Sequence, residues 1–567
     1  MNIDLSRQPY SCKGSYLVIS RVGANWCGCK NVAGLYLRTV RGGAAMPLIA
    51  RICLNKFGQT AEYTSSVEQA ALVLDCDCIK AEFCFSEDGC MLVRCGNGIT
   101  LTLDFMSHMG AFDYIYSFSR NSRLYRMANC YKNSCRYLFC PEKGESTVDQ
   151  VWAESSCSYS RLTFSGTDGF EFSMREIMTE WDAAENSLNF DECRTEAARS
   201  LAEFEKSLPS CPAAYSGTAG KASYLLWSSL VKKGGLFTRD AMLMSKNWMK
   251  NVWSWDHCFN AMALSYGAPE QAWDQFMIMF DRQDETGLLP DSVNDAREVW
   301  NFCKPPIHGW ALRHMMNHMT LTRGQTEEAY IHLQKWTNWW TDYRDYDVDG
   351  LCEYNHGNDS GWDNSTVFSV LPPVATPELQ AFLVIQMDVL SQLALKLGRT
   401  EEAAIWAERS NRLLKLTLDK LFSDNQPVAV KSGSHEIIPN DSLLPYICVI
   451  LGEKLPASIR QRITETLKGD RFLTEHGLAT ESPASPEYRS DGYWRGPIWA
   501  PSTMLAADGL ARCGETALAR EIAKRFTDMV TASGFAENFD ALTGDGLRDK
   551  AYTWTASVFM ILAHEYL

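Results

Sequence analysis

Residues 376–423 read TPELQAFLVIQMDVLSQLALKLGRTEEAAIWAERSNRLLKLTLDKLFS. Apolar side chains recur at i, i+3, i+4 and i+7 on both sides of Gly398, the period of an amphipathic helix. The spacing predicts helices over 376–398 and 400–423. Gly398 can adopt the left-handed conformation that ends the first. Thr400, Glu401 and Glu402 suit the positive end of the second. Two helices joined by so short a turn run antiparallel.

The same punctuation recurs along the chain. Gly267-Ala-Pro-Glu, Gly324-Gln-Thr-Glu-Glu, Gly452-Glu-Lys-Leu-Pro and Gly514-Glu-Thr-Ala join Gly398 in a series with steps of 57, 74, 54 and 62 residues. Each glycine is read as the left-handed end of one helix. Around them lie twelve helical segments: 221–233, 256–267, 269–283, 309–323, 327–345, 376–398, 400–423, 440–452, 456–468, 497–513, 515–532 and 551–567. Between hairpins come long loops at 234–255, 284–308, 346–375, 424–439, 469–496 and 533–550. Antiparallel order puts the short turns at one end and the long loops at the other. Six hairpins in a ring make an (α/α)6 barrel; an open solenoid would have shorter, more uniform repeats. The polar loops then surround one mouth, where a pocket is expected.

Upstream the pattern changes. Gly14–Ser20, Gly34–Val40, Gly98–Phe105, Arg136–Phe139 and Arg161–Ser165 are short and rich in β-branched and aromatic residues. They predict an N-terminal antiparallel β-sandwich over residues 1–190. A helical linker spans 191–215, with its helix from Glu192 to Leu208, and the barrel domain covers 216–567.

Composition excludes several classes. The chain has 567 residues, 46% hydrophobic and 22% charged, with a net charge of −15. That acidity repels phosphates, so neither nucleic acid nor an anionic membrane is an expected partner. No run of 18 apolar residues suggests a bilayer span, and the first residues lack a secretory pattern. A cytoplasmic location is therefore expected; composition leaves the oligomeric state open. Thirteen of the 20 cysteines fall between Cys12 and Cys157. Without export, disulfides do not persist, and the pairs Cys27/Cys29 and Cys76/Cys78 lack zinc-knuckle spacing. They read as small apolar residues of a sheet core.

The long loops carry the chemistry. Fifteen of the 18 tryptophans lie after residue 216, several of them in or beside mouth loops: Trp253, Trp255, Trp300, Trp362, Trp494 and Trp499. Aromatic faces stack on sugars, and carboxylates or amides bind their hydroxyls, so a carbohydrate is the expected partner. Asp359 and Asp363 stand in Gly357-Asn-Asp-Ser-Gly-Trp-Asp-Asn-Ser365. Trp362 beside Asp363 would raise its pKa, as a general acid requires. Glu537 lies in Gly534-Phe-Ala-Glu-Asn-Phe-Asp540, three loops away and therefore across the ring. Facing carboxylates are the equipment of glycoside hydrolysis, and an inverting pair stands about 6.5–9.5 Å apart. Lys304 and His308 in Lys-Pro-Pro-Ile-His, Asp256 and His257 beside Trp255, and Trp494 and Arg495 offer further contacts. Gly496 would let a ligand approach the backbone.

Other chemistries lack their motifs. His314 and His318 are i, i+4, but His-Met-Met-Asn-His lacks the glutamate of a zinc protease, so no metal is expected there. No dinucleotide or phosphate loop and no nucleophile elbow occurs, so no cofactor is expected.

Ser254-Trp-Asp256, Lys304-Pro-Pro-Ile-His308, Ser360-Gly-Trp-Asp-Asn-Ser365, Tyr493-Trp-Arg-Gly-Pro-Ile-Trp499, Glu537-Asn-Phe-Asp540 and Gly546-Leu-Arg-Asp-Lys-Ala-Tyr552 occur in this order. Together they resemble glycoside hydrolase family 63 and its relatives: processing and bacterial α-glucosidases and mannosylglycerate hydrolases, with family 37 trehalases more distant. The resemblance covers 216–567. It implies an inverting α-glycosidase with Asp363 as general acid and Glu537 as general base. It points most directly to an exo-acting α-glucosidase on an oligosaccharide or small glycoside. Tyr-Trp-Arg-Gly-Pro departs from the trehalase signature and speaks against trehalose. Glycan trimming is not expected either, because the chain is shorter than the eukaryotic processing enzymes and has no membrane anchor. Two alternatives are a sugar epimerase or isomerase on the same barrel, whose histidine bases mostly miss these loops, and a non-catalytic carbohydrate-binding protein.

Overall fold

A computed structural model describes residues 1–45, 47–105, 112–179 and 188–567. Two antiparallel sheets form the N-terminal part. One runs in the order Leu17–Val22, Gly34–Thr39, Leu48–Lys56, Ile99–Asp104, Ser156–Ser165, Glu145–Ala153, with Gln59–Thr60 on the edge of Leu48–Lys56. The other runs Tyr114–Arg120, Arg123–Cys130, Cys135–Lys143, Phe170–Ile177, Met91–Cys95, Ile79–Phe85, Ala71–Cys76, Thr64–Glu68. Their inner faces meet through aromatic rings: Phe164 stacks on Phe172 of the opposite sheet at 3.8 Å. All 20 cysteines are free. Most are buried, but Cys27 and Cys78 are exposed, so the sheet-core reading fails for these two.

Helix α1 (Phe190–Ser207) follows, its first turn capped by the Asn189 side chain, which accepts from Asp191 N and Glu192 N. Residues 180–187, before the expected 190/191 boundary, lie outside the described residues. The helical part comprises α2 (Ser216–Ser229), α3 (Asp256–Leu264), α4 (Pro269–Met277), α5 (His308–His318), α6 (Arg323–Tyr343), α7 (Pro377–Lys396) and α8 (Thr400–Lys420). A 3-10 helix (Leu444–Lys454), α9 (Ala457–Lys468), α10 (Ala500–Arg512), α11 (Thr516–Ser533) and α12 (Thr553–Tyr566) complete it.

Six of these pack in a cycle: α3 on α5, α5 on α7, α7 on the 3-10 helix, that helix on α10, α10 on α12, and α12 back on α3. Every residue of α3 and all of Thr553–Ala563 in α12 are buried, as befits helices enclosed on all sides. The outer helices bury one stripe. In α8 it is Ala403, Trp406, Ser410, Leu413 and Thr417, alternating three and four apart. Every inner helix begins where a long loop ends, so the six N-termini share one mouth.

Three expectations change. Gly398, Gly452 and Gly514 have positive φ, but Gly267 and Gly324 are not left-handed helix ends. Gly324 sits inside α6, which starts at a Thr322/Gln325 capping box. Gly267 instead lies against Ser207, whose carbonyl oxygen a Cβ would meet at 2.7 Å. The segment expected as an α-helix over 440–452 is a 3-10 helix interrupted at Gly452. Helix α7 is long and apolar enough to cross a membrane by length and composition alone, although polar residues interrupt its apolar run and most of it is buried. Here that composition serves burial within the ring.

The sandwich holds the mouth loops. Buried Arg38 donates to the carbonyls of Lys246 (3.0 Å) and Asn247 (2.9 Å). Lys246 Nζ donates to Ser15 O (2.6 Å), Ser11 Oγ (3.1 Å), Cys12 O and Leu230 O. Gly42 N donates to Asp295 Oδ1 at 2.6 Å.

Close helix approach generates a prediction. A Cβ at Gly309 on α5 would lie 2.4 Å from Gln386 Cα on α7. Gly309→Ala should cost about 1–3 kcal/mol through overpacking and lower the thermal midpoint. Gly324→Ala meets nothing within 4 Å and should not lower it.

Candidate active site

The loop before α7 folds into a 3-10 turn, Gly357–Ser360, whose N-terminal His356 accepts from Asn358 N through Nδ1 (3.0 Å). Asp359 is a tie beneath this turn. Its carboxylate accepts from Arg344 Nη1 (2.7 Å), Asn355 N (3.0 Å) and Cys303 N (3.2 Å). Gly361 has φ +75, and a Cβ there would lie 2.5 Å from the Trp255 ring. The chain can turn only with glycine at that point, and Trp362 and Asp363 follow at once.

Asn364 clamps two loops. Its Nδ2 donates to Gly492 O (3.0 Å), and its Oδ1 accepts from Trp494 N (2.9 Å). Arg495 Nε donates to Asn364 O at 2.7 Å, and its guanidinium pairs with Glu487 at 3.0 Å. Two faces of Arg495 therefore hold loops together. Below the clamp lies an aromatic floor. Trp362 stacks on Trp494 at 4.6 Å, Trp494 on Trp499 at 4.0 Å, and Trp255 meets Trp494 at 6.1 Å and Trp554 at 5.7 Å.

Asp256 opens α3 and accepts from the Tyr552 hydroxyl at 3.1 Å. Burial pushes its carboxyl up to about 8, against the opposing charge of Lys304. Lys304 is itself buried, 2.9 Å from both Asp291 Oδ1 and the Asn358 carbonyl. Burial also raises Asp363, with Lys304 lowering it and Asp291 raising it. Glu537 is pushed up to about 7 by burial and then by the Asp549 charge; the Tyr493 hydroxyl bonds it and opposes the rise. Its backbone N donates to Asp549 O at 2.7 Å, and Asp549 Oδ1 accepts from Asn247 Nδ2 at 2.9 Å.

These interactions meet at one phenol. Besides burial, the charges of Glu537, Asp363 and Asp256 all raise Tyr493, and those of Asp256 and Glu537 raise Tyr552. The structure thus brings together Trp255, Asp256, Lys304, Trp362, Asp363, Trp494 and Glu537, drawn from five loops. Tyr493, Tyr552, Asn364 and Asp549 belong to the same cluster but escaped sequence reasoning. The two phenols and Asp549 lie inside motifs already recognised, and their positions there were the available signal.

Two expected contacts are corrected. His308 is the first residue of α5 and has no exposed surface. Its ring faces the interior, 5.2 Å from His257 and 5.0 Å from Phe280, so it packs beneath the site. Gly496 is needed by the protein itself: a Cβ would lie 2.5 Å from Arg489 O and 2.9 Å from the Tyr488 ring. Asp540 accepts from Leu542 N and Thr543 N in a turn. A cavity of about 940 Å³ between α6 and α8 borders none of these residues.

The family described as "Mannosylglycerate hydrolase MGH1-like glycoside hydrolase domain" matches residues 249–555. The glucosylglycerate hydrolase of Mycolicibacterium hassiacum is 22% identical over 442 residues, covering 60% of this chain and 96% of its own. The mannosylglycerate hydrolase of Rubrobacter radiotolerans is 21% identical over 400 residues, covering 54% and 89%. A Thermus thermophilus family 63 mannosylglycerate hydrolase, solved with glucose, superposes with a TM-score of 0.51 at 20% identity. It covers 60% of this chain and 98% of that one. A bacterial glucoamylase solved with acarbose has a TM-score of 0.60 at 12% identity and covers 99% of this chain and 94% of its own. These structural likenesses concern the fold.

With Glu537 as the expected base and its carboxyl pushed up to about 7, activity should fall as pH drops through that value. Removing the negative neighbour in Asp549→Asn eases ionisation of Glu537, so the acid limb of kcat/KM should move to lower pH. An unmoved limb in the pH–rate profile would contradict this coupling.

Proposed function

The chain belongs to the mannosylglycerate hydrolase MGH1-like glycoside hydrolase family and is a glycosidase; from that premise we propose an inverting α-glycosidase acting on a hexose joined to a short hydroxy acid. Glucosylglycerate and mannosylglycerate are the substrates named for its relatives, and both are small glycosides. This replaces the oligosaccharide side of the α-glucosidase expectation. We read the cycle of six inner helices as an (α/α)6 barrel over 216–567, joined by a linker over 191–215 to a sandwich over 1–190. Twenty free cysteines, most of them buried, fit a reducing, cytoplasmic setting.

One observation carries the reading: Asp363 and Glu537, from loops on opposite sides of the helix cycle, act on the same Tyr493 hydroxyl. In the proposed reaction the Asp363 carboxyl gives its proton to the glycosidic oxygen as the C1–O bond breaks toward that oxygen. Glu537 accepts a proton from water while the water oxygen bonds to C1 from the opposite face. Inversion of an α-glycoside yields the β-sugar. Tyr493 orients Glu537. Asp256 and Lys304 are suited to hold sugar hydroxyls, and the tryptophan floor supports the apolar ring face.

Asp363→Asn and Glu537→Gln should each lower kcat by about 10²–10⁴-fold on glucosylglycerate or mannosylglycerate. A glycosyl fluoride needs little protonation and should restore much of the Asp363→Asn rate, but not that of Glu537→Gln. The opposite rescue would reverse the two roles. NMR of early product should show the β-anomer; retained α-configuration would refute inversion.

A further inference from the structure

At the other end of the inner helices, away from the mouth, three of them terminate together. Helix α3 ends at Leu264, α5 at His318 and α12 at Tyr566. His314 and His318 stand one turn apart on α5, their rings 4.9 Å apart between centroids. Glu565, from the end of the chain, places Oε1 3.7 Å from His314 Nε2 and 3.6 Å from His318 Nε2. A carboxylate beside the two imidazoles is thus supplied across the ring closure, from α12 to α5.

We infer that His314, His318 and Glu565 form a binding site for a transition-metal dication of the zinc type, distinct from the hydrolytic site. Two imidazoles and a carboxylate are a common ligand set for such ions, at metal–ligand distances of about 2.0–2.2 Å. Ligand atoms around a tetrahedral ion at that distance lie about 3.3 Å apart. The two nitrogen–oxygen separations therefore need to close by only a few tenths of an ångström. The fourth position faces solvent, because the His318 and Glu565 side chains are each about one quarter exposed (24% and 27%).

The surroundings favour a cation. Three helix C-termini direct negative partial charge here. Tyr266 stacks on His318 at 3.8 Å and donates its hydroxyl to Glu565 Oε1 at 2.5 Å, the outer-sphere support that orients metal ligands. The nearby cations Arg313 and Arg512 are paired with Asp508, at 3.4 and 2.9 Å. Two other groupings of potential ligands exist among the described residues. His257, Cys258 and His308 are sealed from solvent. Asp347 and Asp349 near His435 are held by Gly433 N and Lys420.

The full-length protein, stripped by a chelator, should be titrated with Zn²⁺ by calorimetry and with Co²⁺ by visible absorption. One equivalent should bind, and Co²⁺ should develop the intense bands of four-coordination. His318→Ala and Glu565→Gln should each weaken binding by at least about tenfold, with thermal midpoints in chelator matching the parent chain. His435→Ala should leave binding unchanged. Absence of stoichiometric binding, binding undiminished in both His318→Ala and Glu565→Gln, or loss in His435→Ala would overturn the assignment. If His318→Ala does not fold, Glu565→Gln alone decides. The outcome is independent of the hydrolase reading.

Discussion

Closure of the inner helices on one another is the constraint from which the rest follows. Helices such as α3 and α12 are buried on every side and are stable only where neighbours remove their apolar surface from water and partner their few polar groups. Packing α12 back against α3 achieves this and leaves no open edge. With outer helices alternating between inner ones, the six inner N-termini must then emerge at one end. Polar loops rich in Asp, Asn and Trp are gathered there as a consequence of burial elsewhere.

Gathering loops does not by itself position them. Buried charge does. The Arg344–Asp359 and Lys304–Asp291 pairs sit where an unpartnered charge would be severely destabilising. Each pair lies within one loop and its edge, but Lys304 also donates to Asn358 O and Asp359 also accepts from Cys303 N, so the two loops are held in one relative arrangement. Asn364 adds a neutral clamp with both ends of its amide engaged. Inside that frame the carboxyls of Asp256, Asp363 and Glu537 lose much of their hydration, and all three shift toward protonation. The structure thus pairs the scaffold ions with opposite charges and leaves three poorly hydrated carboxyls at the mouth, where perturbed groups mark a candidate functional site.

Much of this was legible in the chain. The α7–α8 hairpin, the strand-rich first third and the loops bearing Asp363 and Glu537 are written in local periodicity and composition. What escaped depends on distant neighbours. Gly267, Gly361 and Gly496 are required by close approach to Ser207, Trp255 and Arg489, which no local pattern announces. His308 looked available because prolines precede it, yet its helix turns it inward. Glu565 lies 251 residues beyond His314 in the sequence, so nothing local could link them. Tyr493 and Tyr552 were quoted within motifs but passed over, because a phenol's role depends on which carboxylates surround it.

The grip of the sandwich on residues 246 and 247 bears on how the molecule is assembled. Among the described residues Lys246 is paired with no carboxylate; its ammonium is held by backbone carbonyls and a hydroxyl, mostly from residues 11–15. Beside it, Asn247 reaches Asp549, whose carbonyl fastens Glu537. Along the chain the docking residues 11–38 come before residue 246, and residues 537–549 about three hundred positions after it. The fastening of Glu537 therefore spans nearly the whole sequence, so the mouth is complete only when both ends of the chain are in place.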